Sequence, residues 1–178
     1  MLKGKTVVLG VTGCIAAYKA CEIVSSLKKK GATVIVIMTP HSTEFVQPLS
    51  FETLSGNRVI TDLFDRDFDF EVEHVALAKR ADVFVVAPAT ANTIGKIANG
   101  IADDMLTTTI MACKAPKIIC PAMNTNMYEN ENTTENIARL KKQGYKIIEP
   151  ISGRLACGDV GKGKMAEPET IVKAIEDI

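Results

Sequence analysis

A few side chains in this 178-residue sequence can move a proton or bond a polar ligand. His41 and His74 are the two histidines. Imidazole titrates near neutral pH, so either could act as a general base. His74 lies in 74–79 (HVALAK), which reads as helical, and a single helical histidine is more often structural than catalytic. His41 follows Thr39-Pro40 and reads as a surface or capping residue. Asn124 stands in 121–128 (PAMNTNMY). Its amide can both donate hydrogen bonds to a ligand and accept them from it. The other reading is an asparagine that stabilises a turn. Cys157 lies among Gly153, Gly158, Gly161 and Gly163, and such a loop can move as a lid does. On its own, a thiol there reads as incidental. Cys14, Cys21, Cys113 and Cys120 complete an odd set of five without any CxxC. That spacing favours packed thiols over a disulfide framework or a zinc site, and no metal is expected.

Two loops read as ligand cradles. Val11-Thr12-Gly13-Cys14-Ile15 joins an apolar run to a helical one. A glycine there lets backbone N–H groups approach an anion, and a helix N-terminus favours negative charge. A tight turn without a ligand is the alternative. Gly10 and Gly13 spell neither GxGxxG nor GxxxxGK[ST], so the dinucleotide and P-loop readings lack their signatures. A mononucleotide such as FMN, with one phosphate, fits better. The second loop is 88–93 (PATANT). Its small residues admit a flat ring, and its hydroxyl and amide groups can bond the ring's polar edge. Thr90 or Asn92 can equally cap a helix, and the two roles are compatible.

The elements that must position these groups show as apolar runs. Thr6–Val11, Thr33–Met38, 83–87, 117–120 and the weaker 146–148 are short and rich in Val and Ile, and most are closed by proline. Runs apolar on both faces fit buried parallel strands. Helical segments are expected at 15–30, 42–49, 74–79, 94–99, Met105–Ala112, 133–143 and 168–178. Such alternation predicts right-handed crossovers and an α/β fold, its parallel sheet covered on both faces. The least regular stretches are 65–73 and 151–167. Ligands of such sheets bind beyond the carboxyl ends of the strands, here 12–15, 39–45, 88–92, 121–127 and 151–165.

Composition narrows the function classes. A chain of 178 residues suits one domain, 1–178, around one core. Lys+Arg and Asp+Glu both number 21, so no basic excess points to nucleic acid or an anionic membrane. No apolar run approaches the roughly 20 residues of a membrane span, and the N-terminus does not read as a signal peptide. A cytoplasmic protein is expected.

Six motifs in order carry a resemblance that covers essentially the whole chain. They are 13–19 (GCIAAYK), His74 within Glu73-His74-Val75, 87–93 (APATANT), 100–107 (GIADDMLT) and 121–128, followed by 153–159 (GRLACGD) around Cys157. The sequence resembles the homo-oligomeric flavin-containing cysteine decarboxylases. Tyr128 stands where that family usually has Trp, and both are flat amphipathic side chains.

The resemblance implies a three-layer αβα, Rossmann-like (flavodoxin-like) flavoprotein that binds FMN. Gly13, Cys14 and Ile15 would hold the phosphate end. Thr39, Phe45, Ala89, Thr90, Ala91, Asn92 and Thr107 would contact other parts of the cofactor. The implied reaction decarboxylates 4'-phosphopantothenoylcysteine to 4'-phosphopantetheine in coenzyme A biosynthesis. Oxidation of the CH2–SH carbon to a thioaldehyde makes loss of CO2 possible, because the charge left behind spreads onto sulfur as an enethiolate. A flavin accepts the two electrons and later returns them. His74 would be the base and Asn124 would hold the carboxylate beside Ala122 and Met123. Cys157 would donate a proton during the return step. Arg154, Lys162 and Lys164 could meet the substrate phosphate. A homotrimer or a dodecamer of trimers is implied, either stand-alone or fused to a synthetase domain. The rival from another class is a non-catalytic FMN-binding regulatory protein of the same fold. Such proteins typically lose part of the set that this chain retains in His74, Asn124 and Cys157.

Overall fold

The protein's structure, a computed structural model, describes residues 2–64 and 73–178. β1 (Thr6–Val11), β2 (Thr33–Met38), β3 (Val83–Ala89), β4 (Lys117–Pro121) and β5 (Lys146–Ile147) form one parallel sheet. Their order is β2-β1-β3-β4-β5. The chain therefore starts in the middle, winds to one edge, and returns past β1 to build the other half. The crevice between β1 and β3 is the point where the winding reverses.

Alternation along each strand divides the core in two. In β1, Val7, Leu9 and Val11 face one side and Val8 faces the other. The first side is covered by α1 (Ala17–Lys29), α2 (Pro48–Ser55) and α8 (Pro168–Glu176). On the second lie α3 (Glu73–Arg80), α4 (Ala91–Asn99), α5 (Met105–Ala112), α6 (Thr125–Glu129) and α7 (Glu131–Lys142). α1 shows why these segments are helical. Ala17, Ala20, Val24 and Leu27 recur every three or four residues and are fully buried. Each leucine-sized side chain so buried contributes about 1.5–3 kcal/mol.

Three expectations are corrected. The segment 42–49 is not a helix. A 3-10 turn spans Pro40–Glu44, and α2 begins only at Pro48. Proline has no N–H and restricts the residue before it, so it starts a helix and cannot continue one. The stretch 151–167 is regular in part. β6 (Ile151–Arg154) and β7 (Val160–Lys164) pair as an antiparallel hairpin. α6 was not expected at all; it is short, and Asn124 caps it by accepting from the Asn126 N–H at 2.8 Å. Of the irregular stretch 65–73, residues 65–72 lie outside the described residues. Among the described residues, no helix is long and apolar enough to cross a membrane.

Candidate active site

The carboxyl edge of the sheet is tied together by hydrogen bonds that run from strand to strand. The Thr12 hydroxyl after β1 is buried. It donates to the Pro88 carbonyl at 2.7 Å and accepts from the Thr90 N–H at 3.0 Å, bridging the reversal point between β1 and β3. The Ala122 N–H donates to the Ala89 carbonyl at 3.0 Å, joining the β3 and β4 loops. From the next residue, the Met123 N–H donates to the Gly163 carbonyl at 3.0 Å and docks the hairpin on the β4 loop. Nothing in the loop sequence marks Thr12 for this bridge.

The first cradle is built by contact between loops. A Cβ on Gly13 would lie 2.6 Å from the His41 Cβ, so glycine is required there by the close approach of the turn after β2. α1 starts with no side-chain cap and no acidic residue in its first turn. The N–H groups of Gly13 and Ile15 find no acceptor among the described residues. The Cys14 thiol faces the N–H groups of Ala16 and Ala17, while burial pushes its pKa up. On the two touching loops, Ile15 and Phe45 expose apolar surface, at 57% and 49%. An uncapped helix start with free N–H donors, beside apolar surface, fits the phosphate and ring of a mononucleotide.

Thr39 and Ala89 are buried, and Asn92 is exposed. Thr90 caps α4 by accepting from the Thr93 N–H at 3.3 Å, and Ala91 opens that helix. Beside Ala91, a cavity of about 400 Å³ opens toward Asn126, Met127, Asn130 and Thr133. Thr107 is buried, and its hydroxyl is committed to Asp104 at 2.8 Å in the capping box of α5. Met127 is half-exposed, whereas Met123 packs against the second core.

The second half of the site is a side-chain cluster where the hairpin tip meets the start of α6. Asn124 Nδ2 lies 3.4 Å from Cys157 Sγ, between residues 33 apart in sequence. The same Nδ2 donates to Asp159 Oδ2 at 2.9 Å, and Cys157 Sγ lies 3.3 Å from that oxygen. A turn closes the tip: the Leu155 N–H donates to the Asp159 carbonyl at 2.8 Å and the Gly158 N–H to the Leu155 carbonyl at 2.9 Å. Glycines make the docking possible. A Cβ on Gly163 would lie 2.2 Å from the Met123 carbonyl oxygen, and one on Gly161 would lie 2.5 Å from Thr125 Oγ1. Nothing in the sequence of 153–159 by itself marks a role for Asp159.

Behind this cluster sits Glu149, which no sequence signal marked. It accepts from the Tyr128 hydroxyl, from Lys141 at 2.7 Å and from Lys162 at 3.1 Å. Lys162 also lies over the Tyr128 ring, 5.3 Å from its centre. Burial alone would raise the Glu149 pKa, but the three hydrogen bonds outweigh it and hold the group at about 2. Burial and the Glu149 carboxylate push the Tyr128 hydroxyl up. The network links α6, α7 and β7.

His74 is half-buried in the first turn of α3, whose Leu77 and Ala78 pack into the second core. Among the described residues, no hydrogen bond or ion pair joins it to Asn124 or Cys157. The fold thus brings two of the three expected catalytic residues together within the chain.

Parallel strands in the order 2-1-3-4-5, with the winding reversed between β1 and β3, define the flavodoxin-like class of α/β proteins. The family model described as Flavoprotein matches residues 1–178. The chain is 52% identical over 176 residues to the "Coenzyme A biosynthesis bifunctional protein CoaBC" of Bacillus subtilis, covering 99% of this chain and 43% of that one. The chain thus spans less than half the length of that relative. It is 47% identical to the "Probable phosphopantothenoylcysteine decarboxylase" of Streptococcus mutans, covering 97% of this chain and 98% of that one. A solved cysteine-to-serine variant of PPC decarboxylase, complexed with pantothenoylaminoethenethiol, superposes with a TM-score of 0.84 at 35% identity, covering 97% of this chain and 96% of that one. The chain belongs to the Flavoprotein family.

Proposed function

We propose that residues 1–178 form one FMN-binding decarboxylase domain that converts 4'-phosphopantothenoylcysteine to 4'-phosphopantetheine and CO2, a step of coenzyme A biosynthesis. The observation that carries this reading is the Asn124 amide held 3.4 Å from the Cys157 thiol at the carboxyl edge of a flavoprotein sheet.

When bound, FMN supplies the two-electron oxidation of the substrate's CH2–SH carbon and the return of those two electrons. The chain's own groups do the rest. The N–H donors of Gly13 and Ile15 bind the cofactor phosphate, with the Cys14 backbone between them. Thr39, Phe45, Ala89, Thr90, Ala91 and Asn92 line its remaining surface. Thr107 holds that surface indirectly, by capping α5. Asn124 grips the substrate carboxylate between Ala122 and Met123, and fixes it without adding negative charge. His74 takes the proton that the thiol gives up on oxidation. Loss of CO2 breaks the bond between the carboxylate and the adjacent carbon, and the electron pair passes to sulfur. The Cys157 thiol then delivers a proton to the enethiol carbon. Arg154, Lys162 and Lys164 are the hairpin cations that could meet the substrate phosphate, the two lysines by exchanging their pairs with Glu149 and Glu167.

The implied homotrimer, or dodecamer of trimers, would cover exposed apolar side chains such as Ile15, Phe45, Ile101 and Met111. The cytoplasm is the proposed site of action.

The test is Cys157→Ser mixed with phosphopantothenoylcysteine, with flavin absorbance and product mass followed together. A bleached flavin and a product two hydrogens lighter than phosphopantetheine are expected. If wild type and variant both leave the flavin yellow and the substrate intact, the decarboxylase reading fails.

A further inference from the structure

The Asn124 amide is aimed at a carboxylate of its own chain. Its Oδ1 is taken by the Asn126 N–H at 2.8 Å, so the amide orientation is set and Nδ2 must face the hairpin tip. There it donates to Asp159 Oδ2 at 2.9 Å. That oxygen also lies 3.3 Å from Cys157 Sγ, so amide, carboxylate and thiol close a triangle. Among the described residues no lysine or arginine pairs with Asp159, so these two side chains are what hold its carboxylate. Asp159 presents to Asn124 the same chemical group, with the same charge, as the carboxylate that the proposed substrate brings. Two carboxylates cannot share one amide without like-charge repulsion.

We propose that Asp159 and the substrate's cysteine carboxylate compete for Asn124, and that their exchange times the arrival of Cys157. This rests on the decarboxylase reading above. Substrate displaces Asp159 from Nδ2, and the hairpin tip moves with it. When the carbon–carbon bond breaks and CO2 leaves, Asn124 loses its partner and Asp159 returns. Cys157, two residues away and in contact with the same oxygen, comes back with it and presents its proton to the enethiol carbon. Asp159 itself forms no bond to substrate and is a positioning residue.

Two substrate analogues separate the effects. In 4'-phosphopantothenoylserine a hydroxyl replaces the thiol and the carboxylate is kept. Its decarboxylated counterpart, the ethanolamine amide, lacks the carboxylate. Binding of each to the FMN-loaded protein is measured by calorimetry for wild type, Asp159→Ala and Asp159→Asn. Removal of the competitor should tighten binding of the carboxylated analogue by about fivefold or more in Asp159→Ala, and leave the other analogue unchanged. Asp159→Asn keeps an acceptor without the charge and should fall between. With true substrate, Asp159→Ala should release a larger share of product two hydrogens light. Unchanged or weaker binding of the carboxylated analogue, or equal loss for both, would overturn the role of Asp159 alone while wild type still releases CO2. Wild type that releases no CO2 overturns the decarboxylase reading and this inference with it.

Discussion

Glu149 illustrates how one residue can decide the geometry of others. Its carboxylate collects a phenol and two ammonium groups, and through them it fastens α6, which carries Asn124 at its start, to the hairpin that carries Cys157. Tyr128, where the resembled family usually has tryptophan, supplies the phenol, and a tryptophan could not donate from the same atom. Held at about 2 against an ordinary 4.5, the Glu149 pKa is lower in the folded than in the unfolded chain. Its stabilisation is therefore present above pH 4.5 and lost as pH falls through that value toward 2. Glu149→Gln should unfold at lower urea than wild type at pH 7, and the gap should close by about pH 2. The carboxylate is 42% exposed, so solvent screening keeps the difference modest. Equal urea midpoints at pH 7 would show that the network adds no stability.

The β6–β7 hairpin has almost no apolar face to bury. Arg154 and Val160 are exposed at its tip end, and its strands read ISGR and VGKGK. What seats it is backbone contact at glycine. Gly163 sits at φ +155°, a conformation side chains rarely adopt, with the Met123 carbonyl directly against the missing Cβ. Gly163→Ala should destabilise the protein by about 1–3 kcal/mol through steric overlap. It should also make 151–164 a preferred site of limited proteolysis, while the parallel sheet keeps its far-UV circular dichroism. A variant as protease-resistant as wild type would mean that the hairpin is seated by something other than this contact. The same reasoning explains why the hairpin escaped sequence reading. Strand signals come from alternating apolar residues, and none are needed where a ladder docks through backbone hydrogen bonds.

At the scale of the molecule, the sheet separates two apolar cores that share only the strands. Leu27 of α1 lies in one and Ile94 of α4 in the other, each without solvent exposure. Leu27→Ala and Ile94→Ala should each cost about 2–5 kcal/mol. With no shared partner, the costs should add to within about 0.5 kcal/mol in the double variant, read by urea denaturation. Strong non-additivity would mean that the sheet transmits strain between its faces. This layered core was legible in the sequence, because buried parallel strands are continuous β-branched runs and their covering helices repeat every three or four apolar residues. Those signals are local and periodic, so they survive without coordinates. They located β1 to β4 and the loops after them, and the resemblance singled out His74, Asn124 and Cys157. Only the tertiary structure decided the strand order, the bridge of Thr12 across the β1–β3 crevice, and the meeting of Asn124 with Cys157 and Asp159. It alone placed Glu149 behind them and left His74 on α3 without a bond to the pair. Contacts between residues far apart in sequence follow from how strands and loops pack, and hydrogen bonds between single side chains leave no period to read.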